Sequence, residues 1–226
     1  MAARFALLFA AAMALGAPAH SADSPPTAKA SLTPLSIAAI GKNTFMVRDP
    51  LIMIFSDGSP SFTVPAGFVT ELGSAPKELR DSMAPAILHD YLYWYQPCTQ
   101  EEADAVMYSA MAAIGASRST AAAAVQAASG TGPAAFKKYR ERRRSGEVRT
   151  LTEAYAETLV RSPNFTASET LESTLRKAQS SAGLVKDESS SPAIKLTCAR
   201  LLYQCEACRD QTARKKVPKA RVAKGA

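Results

Sequence analysis

The spacing of apolar residues predicts an amphipathic α-helix from Ala84 to Gln96. When successive residues are placed 100° apart around the helix axis, six side chains form one apolar stripe, which we expect to face the core. His89, Asp90 and Tyr93 fall on the opposite side. This polar side is either a solvated surface or a group of titratable residues with a chemical role. The stripe consists of Ala84, Ile87, Leu88, Tyr91, Leu92 and Tyr95.

A second helix is predicted to begin after Thr99 and to run to about Ile114. Thr99 and Glu102 have the spacing of a capping box, in which each side chain satisfies a free backbone N–H group of the other residue. Asp104 lies at the edge of the apolar stripe of this helix, so we expect its carboxylate to be partly buried. Because only a few residues separate the two helices, they are predicted to be antiparallel neighbours, with Asp104 within reach of His89.

The rest of the chain indicates a mostly α fold with a small β element, in the α+β class. Short runs of β-forming residues at 44–47, 51–55 and 61–64, with a turn signal at 56–60, predict an antiparallel sheet with a hairpin. Gly130 to Pro133 is expected to break an alanine-rich helical region in two. The further predicted helices are 119–129, 134–144, 151–161, 168–182 and 193–209.

The N-terminus has the three parts of a secretory signal peptide. Met1 to Arg4 is a positive start, Phe5 to Leu15 is apolar, and small residues follow up to Ala22. An apolar core helix is the alternative interpretation of this segment. We expect export to a periplasm or to the extracellular space. The predicted organisation is a signal peptide at 1–22, a leader linker at 23–40, a core domain at 41–146, a helical extension at 147–213 and a disordered tail at 214–226.

The positive charge of the chain is concentrated at its C-terminus. The formal net charge is +7, and residues 209–226 hold seven Lys or Arg against one Asp. Such a tail is predicted to attach to an anionic membrane or envelope surface, although a tail that only increases solubility has the same composition. No nucleic-acid-binding motif occurs, and the sequence does not indicate an oligomeric state.

Four cysteines in an exported chain predict two disulfides, with three possible connectivities. Cys205 and Cys208 form a C-x-x-C pair, a spacing also found in zinc and redox sites. Cys198 and Cys205 would lie about 10 Å apart along one helix and cannot pair within it. We therefore expect Cys98 to hold the last helix against the core.

Three groups of residues in the sequence resemble a family of small phage and bacterial proteins that is known only as a domain of unknown function. The resemblance spans about residues 41–140 and implies no activity. It is found in three groups of residues, which are Phe62-x-Val64-Pro65-x-Gly67-Phe68-x-Thr70-Glu71-x-x-Ser74-x-Pro76, Ala86-x-x-His89-Asp90-Tyr91-Leu92-Tyr93, and Glu102-Ala103-Asp104 with Met111.

The pattern His89-Asp90-x-x-Tyr93, followed by Asp104 on a second helix, is similar to the secreted phospholipase A2 enzymes. The resemblance implies that His89 is the general base for a water molecule and that Asp104 orients it. Tyr93 would support the same hydrogen-bond network. Asp90 and Glu71, with a backbone carbonyl near Leu72 or Gly73, would bind Ca²⁺. This chain departs from that family at three points. Leu92 lies near the position of a family cysteine, Glu71 replaces a family Asp, and the predicted calcium loop has one glycine, Gly73.

Two functions follow from these observations. The first is calcium-dependent hydrolysis of an ester in a phospholipid or a related amphiphile, with the calcium ion polarising the ester carbonyl. The second is a non-catalytic phage-derived or envelope interaction protein, in which His89, Asp90 and Asp104 form a structural hydrogen-bond network. The enzyme requires one ring nitrogen of His89 within about 3 Å of an Asp104 oxygen and the other ring nitrogen available to substrate.

Overall fold

The computed structural model describes residues 30–41, 43–72, 82–161, 170–185, 192–205 and 208. Within these residues the chain forms six α-helices and eight short strands, so it is mostly α with small antiparallel sheets, as predicted. The predicted signal peptide at 1–22 and the predicted basic tail at 214–226 lie outside the described residues.

Six strands form two three-stranded antiparallel sheets. The strands are β1 (Ala30–Leu32), β2 (Ile37–Gly41), β3 (Thr44–Val47), β4 (Leu51–Phe55), β5 (Phe62–Val64) and β6 (Val69–Glu71). Their orders in the two sheets are β1-β4-β5 and β2-β3-β6. The predicted hairpin is confirmed, because Leu51 pairs with Val64 and Met53 pairs with Phe62. The predicted linker at 23–40 is wrong from residue 30 onward, because β1 and most of β2 lie there.

The helices follow the sheets along the chain. The capping box predicted at Thr99 and Glu102 is confirmed, because the Thr99 N–H donates to Glu102 Oε2 at 2.8 Å and the Glu102 N–H donates to Thr99 Oγ1 at 3.3 Å. None of the described helices combines the length and the apolar character needed to cross a bilayer. The helices are α1 (Met83–Tyr95), α2 (Gln100–Ala113), α3 (Arg118–Arg144), α4 (Glu153–Arg161), α5 (Leu171–Ser180) and α6 (Pro192–Gln204).

The predicted break at residues 130–133 is wrong, because α3 is one helix of 27 residues that contains Pro133. Proline removes one backbone hydrogen bond from a helix interior, and packing against neighbouring helices compensates for the loss. Gly132 packs closely against α1 and α2. A Cβ atom there would lie 2.5 Å from the Tyr93 hydroxyl oxygen and 2.6 Å from Gln100 Nε2. The glycine that indicated a break in the sequence thus allows α3 to approach α1 and α2.

Helix α1 is buried on nearly every side, and this differs from the simple amphipathic prediction. His89 and Tyr93, on its polar side, are buried, as are the apolar Ile87 and Leu88 on the other side. The main core joins α1, α2, α3 and α6 to the first sheet, and a smaller core includes Ile40, Met46 and α5. The polar side of α1 therefore faces other parts of the protein rather than solvent.

The extension after α3 is attached to the core through backbone pairing. It contributes a two-stranded sheet of β7 (Thr150–Leu151) and β8 (Leu184–Val185). The Val69 N–H donates to the Arg149 carbonyl at 2.8 Å, and the Leu151 N–H donates to the Gly67 carbonyl at 2.9 Å. Gly67 has a φ of +83°, and a Cβ atom there would lie 2.3 Å from the Leu151 oxygen. This close approach places Arg149 beside α1.

Two disulfides stabilise the C-terminal part. Cys98, in the connection between α1 and α2, pairs with Cys198 on α6, and Cys205 pairs with Cys208. The first bond joins residues 100 positions apart in the sequence, so it links α6 directly to the helix pair that contains His89 and Asp104.

Candidate functional site

The His89 and Asp104 side chains meet between α1 and α2. The distance from His89 Nε2 to Asp104 Oδ1 is 2.8 Å, and both residues are buried, with 8% and 2% of their surface exposed. The short connection at residues 96–99 returns the chain along α1, and this brings Asp104, in the second turn of α2, to His89. Burial protects the interaction from competition by water.

The Asp104 carboxylate also contacts α1 and α3 through two hydroxyl groups. The Tyr93 hydroxyl donates to Asp104 Oδ1 at 2.7 Å. The Ser129 hydroxyl lies 3.3 Å from Asp104 Oδ2, and it also donates to the Val125 carbonyl at 2.8 Å. Because a hydroxyl has one proton, Tyr93 is the stronger partner of the carboxylate. Three helices thus fix the position of this one side chain.

The ionisation of Tyr93 matches its role as a donor. Burial raises the pKa of the Tyr93 phenol well above its ordinary value, and the negative charge of Asp104 raises it further. The phenol therefore keeps its proton throughout the physiological pH range and donates a hydrogen bond to Asp104. The Tyr93 ring also lies against the imidazole, with 4.1 Å between the His89 and Tyr93 ring centroids.

The contact with Asp104 determines which nitrogen of His89 holds the proton. Asp104 Oδ1 accepts a hydrogen bond from Tyr93, and a carboxylate oxygen in contact with Nε2 needs a donor there as well. On a neutral imidazole the proton is therefore favoured on Nε2, and the lone pair is then on Nδ1. Among the described residues, no group forms a hydrogen bond with His89 Nδ1. Nδ1 is thus a basic atom on a ring whose orientation is fixed by buried neighbours.

The Asp90 side chain, next to His89 in the sequence, forms a separate cluster. Its Oδ2 accepts hydrogen bonds from the Thr70 hydroxyl at 2.7 Å and from Arg149 Nη1 at 3.2 Å. The Arg149 side chain is 1% exposed. Its guanidinium carbon lies 4.5 Å from the Trp94 ring centroid and 4.4 Å from that of Tyr139. Asp90 therefore neutralises a cation enclosed between two aromatic rings.

The electrostatics of this cluster keep Arg149 protonated. Burial alone lowers the pKa of Arg149, but the negative charge of Asp90 has the opposite effect, and the net pKa lies above the ordinary value. The same Asp90 charge, followed by burial, raises the pKa of the Tyr139 phenol. Tyr139 therefore stays neutral beside the ion pair.

The described residues do not by themselves fit a calcium ion at Asp90. Thr70 points toward Asp90, whereas the exposed Glu71 follows it on β6, and successive strand side chains point to opposite faces. The strand therefore does not bring Glu71 and Asp90 together. The Arg149 charge opposes a second cation at Asp90. No group of three or more His, Cys, Asp or Glu side chains within the described residues could hold a metal. Gly73 lies outside these residues, and calcium stays a prediction.

The sequence alone does not indicate Arg149, Thr70 or Tyr139 as partners of Asp90. Arg149 is 59 residues from Asp90, and no helical or strand periodicity connects them. One signal of its burial is present in the sequence. Arg149 is a cation within Val148 to Leu151, a short β-forming run in a polar part of the chain. A charged residue in such a run is a candidate for a buried ion pair.

The chain is similar to one known family. Residues 45–127 match the model of a family described as a protein of unknown function (DUF1353). The match includes His89, Asp90, Tyr93 and Asp104, and it agrees with the expected similarity to an uncharacterised domain family. No curated protein and no solved structure matches the chain.

Proposed function

We propose that this protein is a hydrolase in which His89 is the general base that activates water for attack on a carboxylic ester. The observation that supports the proposal is the 2.8 Å contact of His89 Nε2 with the buried Asp104, together with an Nδ1 atom that has no partner among the described residues. A fixed imidazole with one basic nitrogen is the arrangement that general-base catalysis requires.

The proposed reaction uses the two ring nitrogens in different ways. Nδ1 removes a proton from water as the water oxygen forms a bond to the ester carbonyl carbon. The imidazole is then positively charged, and the Asp104 carboxylate on Nε2 stabilises this charge. When the tetrahedral intermediate collapses, the bond to the alcohol oxygen breaks and His89 returns the proton to that oxygen. The products are a carboxylic acid and an alcohol.

The proposed substrate is an ester in a phospholipid or a related amphiphile. The support is the similarity of His89-Asp90-x-x-Tyr93 and Asp104 to the phospholipase A2 pattern. A bound calcium ion would supply electrophilic polarisation of the ester carbonyl. Because Asp90 is paired with Arg149, the steps above are assigned to His89 and Asp104 without the ion.

Asp104→Asn tests the proposal through the residue that positions the base. We expect the rate of ester hydrolysis to fall about a hundredfold. An amide lacks the negative charge that favours the proton on Nε2 and leaves the lone pair on Nδ1, and it does not stabilise the positively charged imidazole. The assay uses p-nitrophenyl esters of short and long acyl chains and phospholipid vesicles. Each rate is measured with calcium and with a chelator, which determines whether a cation is required.

Asp57→Asn is the matched control. It removes a carboxylate of the same type that pairs with Arg200 on α6, away from His89. We expect this variant to hydrolyse esters at the wild-type rate. Urea unfolding of both variants separates a loss of catalysis from a loss of folded protein. Equal rates for wild type and folded Asp104→Asn on every ester would contradict the proposal and favour a structural network.

A further inference from the structure

One face of α6 is apolar and exposed. Leu196 and Tyr203 are each 75% exposed, and the exposed Ala199 lies between them. Their spacing of three, four and seven residues places all three on the same side of the helix. We call Leu196, Ala199 and Tyr203 the α6 stripe. Among the described residues, Leu196 and Tyr203 are the most exposed large apolar side chains.

The orientation of α6 is fixed by its opposite face. Cys198 and Leu201 are buried there, and the disulfide from Cys198 to Cys98 ties this face to the α1–α2 connection. Arg200 also pairs with Asp57, in the turn that follows β4. The α6 stripe therefore cannot turn inward without the loss of core packing and of an ion pair.

The sequence of α6 and of the residues after it is positively charged. Helix α6 contains Lys195 and Arg200 and no acidic residue, and Lys195 is exposed beside Leu196. From residue 192 to the C-terminus, the sequence has nine Lys or Arg and two Asp or Glu. An exposed apolar stripe in a segment of sequence with this excess of cations is complementary to a surface whose outer layer is anionic and whose interior is apolar. A second copy of the chain would bring like charges together.

We propose that the α6 stripe docks on an anionic lipid bilayer. Leu196 and Tyr203 enter the boundary between headgroups and acyl chains, and Lys195 contacts the anionic headgroups. The net positive charge of the sequence after α6 favours the same anionic surface. Tyrosine suits this position, because its ring is apolar and its hydroxyl remains in the polar layer. The buried apolar area and the electrostatic attraction to anionic lipids together determine the binding strength of such a helix. The surface functions whether or not His89 is catalytic.

The test is vesicle co-sedimentation of chains that all begin at Asp23, so that the apolar N-terminal run is absent. Wild type is compared with Leu196→Ser/Tyr203→Ser on vesicles of phosphatidylglycerol and phosphatidylcholine. We expect about a tenfold or larger loss of binding in the variant, because two apolar side chains no longer leave water. Ile54→Ser/Val185→Ser is the matched control, since Ile54 and Val185 are exposed apolar residues elsewhere. We expect it to bind as wild type does.

A second variant reports insertion directly. Leu196→Trp places an indole on the stripe, and we expect its fluorescence to shift to the blue with anionic vesicles and to stay unchanged with a soluble polyanion. Equal vesicle binding by wild type and the serine variant would overturn the proposal, as would an absent blue shift. Binding to the polyanion alone would also overturn it and would assign the cations to a soluble anionic polymer. Loss of self-association as the sole effect of the serine substitutions would instead assign the stripe to a second copy.

Discussion

Replacing His89 with glutamine is expected to lower ester hydrolysis about a thousandfold, the largest effect on activity that the site predicts. Glutamine is similar in size and keeps a polar group near Asp104, but it has no nitrogen that accepts a proton at neutral pH. Transfer of the water proton to Nδ1, the step assigned to His89, is then lost. Initial rates on the p-nitrophenyl ester that wild type hydrolyses fastest provide the measurement.

The control for this experiment is the folded state of the variant. Because His89 is 8% exposed and contacts Tyr93 as well as Asp104, glutamine alters packing and the hydrogen bond together. Near-UV circular dichroism and the urea midpoint establish that the variant is folded under assay conditions. A folded His89→Gln protein that keeps the wild-type rate would show that the hydrolysis arises elsewhere.

Asp90→Asn is expected to lower the free energy of unfolding by about 3–5 kcal/mol, the largest effect on stability. The substitution leaves the Arg149 guanidinium buried without a compensating negative charge, and this guanidinium is enclosed by Trp94 and Tyr139. A buried cation whose partner has been removed retains the full cost of its desolvation. Urea unfolding at neutral pH measures the change.

The double variant Asp90→Asn/Arg149→Met separates the charge from the packing. It removes both ionised groups and keeps an apolar side chain between the rings, so we expect it to recover part of the loss. Single-variant stability within about 0.5 kcal/mol of wild type would contradict the proposed role of the pair.

Local signals in the sequence predicted much of the helical structure. The Thr99–Glu102 capping box depends on residues three apart, and it is present as expected. The burial of α1 on several sides could not be predicted in the same way. Helical periodicity identifies the first apolar face, whereas the polar residues on the other side are buried through bonds to α2 and, in the case of Asp90, to β6 and Arg149.

Errors occurred where distant contacts override local preference. Gly132 and Pro133 are typical of a helix break, but the close packing of Gly132 on Tyr93 and Gln100 favours one continuous α3. Residues 30–40 have the composition of a linker, yet the short strand β1 is held by antiparallel pairing with β4. In each case a partner remote in the sequence supplies the stabilising contacts.

In the candidate site, too, local spacing predicts some contacts, whereas others depend on residues distant in the sequence. Spacing within one helix places His89 and Tyr93 on a common side, and the short connection brings Asp104 to them. The position of Arg149 beside Asp90 depends instead on the backbone pairing of β7 with Gly67 and Val69. No pattern in the sequence encodes that pairing in a form that can be read without the structure.

The protonation state of the His89 ring nitrogens tests the central claim most directly. The chain has two histidines, and His20 belongs to the predicted signal peptide, so ¹⁵N NMR of a protein that begins at Asp23 shows one imidazole. With neutral His89, we predict a protonated Nε2 and an unprotonated Nδ1, and Asp104→Asn should weaken this preference. A protonated Nδ1 in the folded wild-type protein would contradict the account, because no basic nitrogen would then be available to activate water.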